Sequence, residues 1–134
     1  MAVRPAPASG IFGTLMKEIL IVDRCPQTKL VLTPFLEEQG YVLTFVPDSA
    51  AAMEALWSKS FAVVLVDTTD PGVGGEGLLE AVASGASPGG TVIPFVDRDD
   101  AERRARLQSR GFKVLFPKPL DFHIMTNVLA DVTE

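Results

Sequence analysis

Three aliphatic runs, each closing on an aspartate, constrain this chain more than any other feature. Ile19-Leu20-Ile21-Val22 ends at Asp23, Phe61-Ala62-Val63-Val64-Leu65-Val66 ends at Asp67, and Thr91–Val96 ends at Asp97. Such β-branched and aliphatic runs suit strands buried on both faces of a parallel sheet. The segments between them read as helices. Pro26 opens a helical stretch to Gln39, with Pro34 as an interior kink and Gly40 as the stop. Tyr41–Val46 reads as a further strand, and Asp48 or Ser49 caps a helix running to Lys59. A short helix over Glu76–Ala83 is weakened by glycine. Asp99 and Glu102 have capping-box spacing for a helix ending at Arg110 and Gly111. Lys113–Phe116 is the fifth expected strand, Pro117-Lys118-Pro119 a rigid turn, and Phe122–Val132 the last helix. Pro94 conflicts with a central strand, because proline cannot donate to the ladder.

Five strands alternating with five helices make a repeated βα unit, so the expected class is α/β, a parallel sheet with helices on both faces. A length of 134 residues fits one domain. Residues 1–16 read as a flexible N-terminal tail, too short in apolar run for a secretory signal or a membrane span. The net charge of −5 lacks the basic footprint of a nucleic-acid binder. Cys25 is the single cysteine, which excludes an internal disulfide and a cysteine-rich zinc site. The expectation is a cytoplasmic domain with neither nucleic acid nor membrane as partner.

In open parallel sheets, ligands sit beyond the carboxyl ends of the strands. Asp23, Arg24, Asp67, Asp97 and Lys118 all fall at such ends. Two carboxylates and a backbone carbonyl suffice for Mg2+ when a phosphate completes its shell. A lysine adds a compact charge for phosphoryl oxygens. Asp23, Asp67 and Lys118 therefore describe phosphoryl chemistry, and no G-x-x-x-x-G-K-[ST] nucleotide cradle accompanies them.

Ile-Leu-Ile-Val-Asp at 19–23, Gly-Tyr at 40–41, Val-Val-Leu-Val-Asp at 63–67, Pro71 and Gly75, and Lys118-Pro119 together resemble the receiver domain of bacterial two-component response regulators. The resemblance covers residues 17–134. It implies a single-domain, doubly wound, flavodoxin-like sheet of order 2-1-3-4-5. It also implies that Asp67 accepts a phosphoryl group from a sensor histidine kinase or phosphotransfer protein, with no turnover of external substrate. Asp23, Asp67 and the Thr69 backbone carbonyl would hold Mg2+, and Lys118 would pair with the phosphoryl group. An unknown downstream protein target is a further partner that such a domain implies, and a homodimer is left open.

The departures from the family pattern are specific. Arg24 stands where a second acid is usual; it is expected to weaken Mg2+ binding, and its guanidinium can bridge Asp23 and Asp67 in place of the cation. The usual Ser or Thr of the fourth strand is replaced by Val96 or Asp97, depending on the direction of counting. The aromatic switch position holds Leu115, with Phe116 one place off. Arg103, Arg106 and Arg110 share one helix face; with Leu115 and Phe116 they form the expected partner face. The alternative reading is a degenerate receiver, an interaction module that works without phosphorylation. A small aspartyl-nucleophile phosphatase is a third, since Val-Leu-Val-Asp-Thr-Thr superficially resembles that family's first motif. The default role of Cys25 is a small apolar contact, and His123 is expected exposed or edge-packed.

Overall fold

In the computed structural model, the described residues are 17–83 and 90–133. The tail expected at 1–16 lies outside them. In chain order the elements are β1 (Lys17–Val22), α1 (Pro26–Glu38), β2 (Tyr41–Val46), α2 (Ser49–Ser58), β3 (Val63–Asp67), α3 (Gly75–Ala81), β4 (Thr91–Asp97), α4 (Ala101–Ser109), β5 (Phe116–Lys118) and α5 (Phe122–Val132). The five strands form one parallel sheet of order β2-β1-β3-β4-β5.

Strand alternation splits the aliphatic runs between two cores. Ile19, Ile21 and Leu65 pack with Leu32 and Leu36 of α1 and Met125 and Leu129 of α5. Leu20, Val22, Val64 and Val66 pack on the other face with Leu56 of α2, Leu78 of α3 and Leu107 of α4. Two-sided burial explains why the central strands carry almost no polar residue before their terminal acids.

Both interior prolines are accommodated by where their missing N–H points. Phe95 accepts from the Thr68 amide on the β3 side, whereas the Arg98 amide donates to Lys118 on the β5 side. Neighbouring residues alternate, so Pro94 faces the β5 edge. That strand begins only opposite Phe95, and no ladder bond is forfeited. In α1, Pro34 deprives the Leu30 carbonyl of its donor, but Leu30 is 72% exposed and Pro34 is exposed too. Water can satisfy that carbonyl, so the helix continues through the proline.

Several boundaries move. β3 starts at Val63 rather than Phe61, although Phe61 is still buried. α4 is capped by Asp100, which accepts from the Arg103 amide, rather than by Asp99. The fifth strand is Phe116–Lys118, not Lys113–Phe116, because pairing with β4 sets Phe116 beside Phe95.

One glycine fixes the loop that follows β3. A Cβ on Gly75 would stand 2.0 Å from the Asp67 carbonyl oxygen, whereas one on Gly77 meets nothing within 4 Å. Gly75→Ala is expected to cost roughly 1–3 kcal/mol, because backbone must shift on both sides. Gly77→Ala, in the same helix, is expected to stabilise by up to about 1 kcal/mol through helix propensity alone. Urea midpoints of the two variants, moving in opposite directions, check both.

Candidate functional site

The carboxyl ends of β1, β3 and β5 bring Asp23, Asp67 and Lys118 together. The Lys118 Nζ donates to Asp23 Oδ2 at 2.7 Å and stands 3.4 Å from Asp67 Oδ1. The side chains of Asp23 and Asp67 are 0% and 2% exposed, and that of Lys118 is 21% exposed. The acids are therefore more deeply covered than strand-end residues in an open cleft would be. Burial alone would lower the pKa of the Lys118 ammonium; the hydrogen bond and charge of Asp23, joined by Asp67, outweigh it and hold the pKa above its ordinary value. The ammonium also lies 5.3 Å from the centroid of the Phe95 ring, so an apolar core residue forms part of its seat.

Each carboxylate is oriented by its own loop. The Cys25 amide donates to Asp23 Oδ1 at 2.9 Å. Asp67 Oδ1 accepts from the Thr69 amide at 2.9 Å and from the Thr69 hydroxyl at 2.6 Å. Thr69 thus contributes a hydroxyl to the acid, a contact missed when only its backbone was considered. The signal for it was local: an Asx turn after Asp67 brings the residue two places on back to the carboxylate. The neighbouring Thr68 hydroxyl is committed to the Phe95 carbonyl at 2.6 Å.

Arg24 does not bridge Asp23 and Asp67. Its guanidinium pairs with Asp70, at 2.6 Å through Nε and 3.1 Å through Nη2, and the side chain is 54% exposed. The pairing raises the Arg24 pKa, while the hydrogen bond from Arg24 and the Gly72 amide hold Asp70 below the usual carboxylate range. Asp70 was missed in the sequence because a carboxylate before Pro71 reads as an ordinary turn residue. Between the two candidates on β4, Val96 is wholly buried in the core facing α2, α3 and α4. Asp97 is exposed, pairs in register with Lys118, and accepts from the Asp99 amide. Neither supplies a hydroxyl.

The expected partner face is only partly available. Phe116 is 1% exposed and packs 6.4 Å, ring to ring, from Phe95, so it is a core residue. A one-residue offset along a strand places a side chain on the opposite face of the sheet, and half-buried Leu115 packs against the other core. Arg103 and Arg106 reach Glu76 of α3 at 3.1 and 2.9 Å, and Arg110 reaches Glu80 at 3.5 Å. Arg103 also donates to the Thr68 carbonyl. The arginine stripe thus ties α4 to α3 rather than standing free, and the bonds from Arg106 hold Glu76 below the usual carboxylate range. Cys25 is exposed, not an apolar contact, and the amides of Thr28 and Gln27 lower its thiol pKa. His123 is exposed on α5.

Among the described residues, no group of three or more His, Cys, Asp or Glu side chains is arranged to hold a metal. Asp23 and Asp67 nonetheless offer hard oxygens around one cation, which is the donor chemistry Mg2+ accepts. The set fits a Mg2+ held by few protein ligands, with water or phosphate completing its shell. No helix among the described residues is long and apolar enough to cross a membrane.

No family model matches the chain. The sensor histidine kinase GacS of Pseudomonas protegens is 30% identical over 120 residues, spanning 86% of this chain but only 13% of that protein. The signal receiver domain of an HD domain-containing protein from Pseudomonas fluorescens Pf-5 superposes with a TM-score of 0.79 at 22% identity, covering 99% of this chain and 93% of that one. The receiver domain of the response regulator TorR gives 0.78 at 22% identity, covering 87% and 95%. Strand order, crossovers and these likenesses agree, and the chain has the receiver-domain fold of two-component response regulators.

Proposed function

We propose that this chain accepts a phosphoryl group on Asp67 from a sensor histidine kinase or phosphotransfer protein, as a cytoplasmic signalling domain. The observation that carries the reading is the Lys118 ammonium set between two buried carboxylates, 2.7 Å from Asp23 and 3.4 Å from Asp67. An Asp67 carboxylate oxygen attacks phosphorus, the bond from phosphorus to the donor imidazole nitrogen breaks, and an acyl phosphate forms. The imidazole leaves with the bonding electron pair and takes up a proton. Thr69 orients the attacking carboxylate through its amide and hydroxyl. Lys118 is the most exposed member of the cluster, so the approach to Asp67 runs past an ammonium that can pair with the incoming phosphoryl oxygens. Asp23, Asp67 and the Thr69 carbonyl would hold Mg2+, which when bound supplies further neutralisation of the transferring phosphoryl group.

Incubation with acetyl phosphate and Mg2+, followed by intact mass, tests this. The expected result is a gain of one phosphate in the wild type and none in Asp67→Asn. The second reading, an interaction module independent of phosphorylation, is favoured by Arg24 in place of an acid and by the missing hydroxyl at Val96 or Asp97. A wild-type chain without adduct, with none restored by Arg24→Asp, would favour it instead.

A further inference from the structure

Arg24 directly follows Asp23, yet its guanidinium is held outside the acid cluster in a berth made by one short loop. Asp70 takes both Nε and Nη2, and the Gly72 amide donates to Asp70 Oδ1 at 2.9 Å, which fixes the carboxylate that receives the guanidinium. Gly72 also provides the floor: a Cβ there would stand 2.4 Å from Arg24 Cζ. Its φ is not among the positive values of the described glycines, so a missing side chain, and not a special backbone, makes this room.

The berth borders the acid cluster. Asp70 directly follows Thr69, whose amide donates to Asp67 Oδ1 at 2.9 Å, and Arg24 directly follows Asp23. Asp23 and Asp67 meanwhile present two negative charges to one ammonium. The cluster therefore attracts a second cation, and a guanidinium one residue from Asp23 is the nearest one along the chain.

We infer that Asp70 is a positioning residue that keeps Arg24 out of the acid cluster, and that without this berth the guanidinium enters, pairs with Asp23 and Asp67, and displaces a divalent cation. Guanidinium and Mg2+ compete for the same carboxylate oxygens, so the choice between an open and a locked receiver lies in one exposed ion pair. The inference rests on the phosphoryl-accepting reading for its purpose, but its test does not require phosphorylation.

The test is a calorimetric Mg2+ titration of the full chain without phosphodonor, in wild type, Asp70→Asn, Gly72→Ala, Arg24→Ala and the Asp70→Asn/Arg24→Ala double variant. Asp70→Asn is expected to weaken Mg2+ roughly tenfold or more, the scale of a unit charge brought within a few ångströms. Gly72→Ala, which alters no charge, should weaken it in the same direction by crowding the guanidinium out. Removing Arg24 as well should restore binding to wild-type strength or better, a rescue that mere loop damage would not give. Wild-type affinity in Asp70→Asn, failure of the double variant to recover, or no Mg2+ binding by the wild type would overturn the inference. A wild type that binds Mg2+ but takes no phosphoryl group would overturn the proposed function alone. One that is phosphorylated while Asp70→Asn binds Mg2+ normally would overturn only the role of Asp70.

Discussion

Lys118→Met is expected to destabilise the fold by about 3–5 kcal/mol at neutral pH, because it leaves two buried carboxylates without their shared counter-charge. Asp23 and Asp67 have 0% and 2% side-chain exposure, so water cannot replace the ammonium unless the site opens. The effect has a defined pH window. The native fold holds the Lys118 proton more tightly than an ordinary lysine, whose pKa is 10.5. The contribution of Lys118 is therefore complete below about pH 10.5 and fades as pH rises through the higher native value. Wild-type and Lys118→Met unfolding free energies, measured in urea from pH 7 into alkali, should converge above that point. Lys118→Arg, which keeps the charge, should lose much less at pH 7. Equal stability of wild type and Lys118→Met at pH 7 would contradict the ion-pair geometry.

Phe95→Ala is the second large effect, at roughly 3–5 kcal/mol, the usual cost of emptying a fully buried aromatic position. Phe95 is 0% exposed, packs against Phe116, and carries the Lys118 ammonium over its ring. Core volume and ring face can be separated. Phe95→Leu should return most of the packing, leaving a deficit below about 1.5 kcal/mol, while still lacking the quadrupole that attracts the ammonium. Expected results are a large fall in urea midpoint for Phe95→Ala and a small one for Phe95→Leu. In Phe95→Leu the site stays covered while the ammonium loses its aromatic seat, so the Lys118 pKa should fall, which direct titration of the lysine by NMR would read. An unchanged Lys118 titration in Phe95→Leu would show that the ring is only core.

The two acids were legible in the sequence for the same reason as the strands that carry them. An aliphatic run must stop where the sheet meets water, and a polar residue at that point marks the strand end. Lys118 was legible through its place after the last apolar segment, even though the strand itself lies later than the apolar pattern implied. Phe116 shows why that offset arises: four apolar or mixed residues before the proline give no period, and only the pairing with Phe95 decides which side chain enters the core.

Arg24 is the clearest case of a residue whose type was readable and whose role was not. Its sequence position puts a guanidinium next to Asp23, which suggests a bridge across the acids. The structure supplies a closer carboxylate, Asp70, from a loop 46 positions away. The arginines of α4 follow the same rule. Their spacing fixes a common face, but Glu76 and Glu80 across the α3–α4 contact decide that the face is spent inside the molecule.

By itself, then, the sequence determined the α/β alternation, the two-sided burial of the central strands and the acids at their carboxyl ends, because these depend on local periodicity and on where apolar runs stop. The tertiary structure alone decided that Arg24 turns to Asp70, that Phe116 is core, that Thr69 lends its hydroxyl to Asp67, and that Lys118 sits on Phe95. Each of these is a choice among partners of similar chemistry. Only distance in the folded chain, which no local pattern encodes, can settle such a choice.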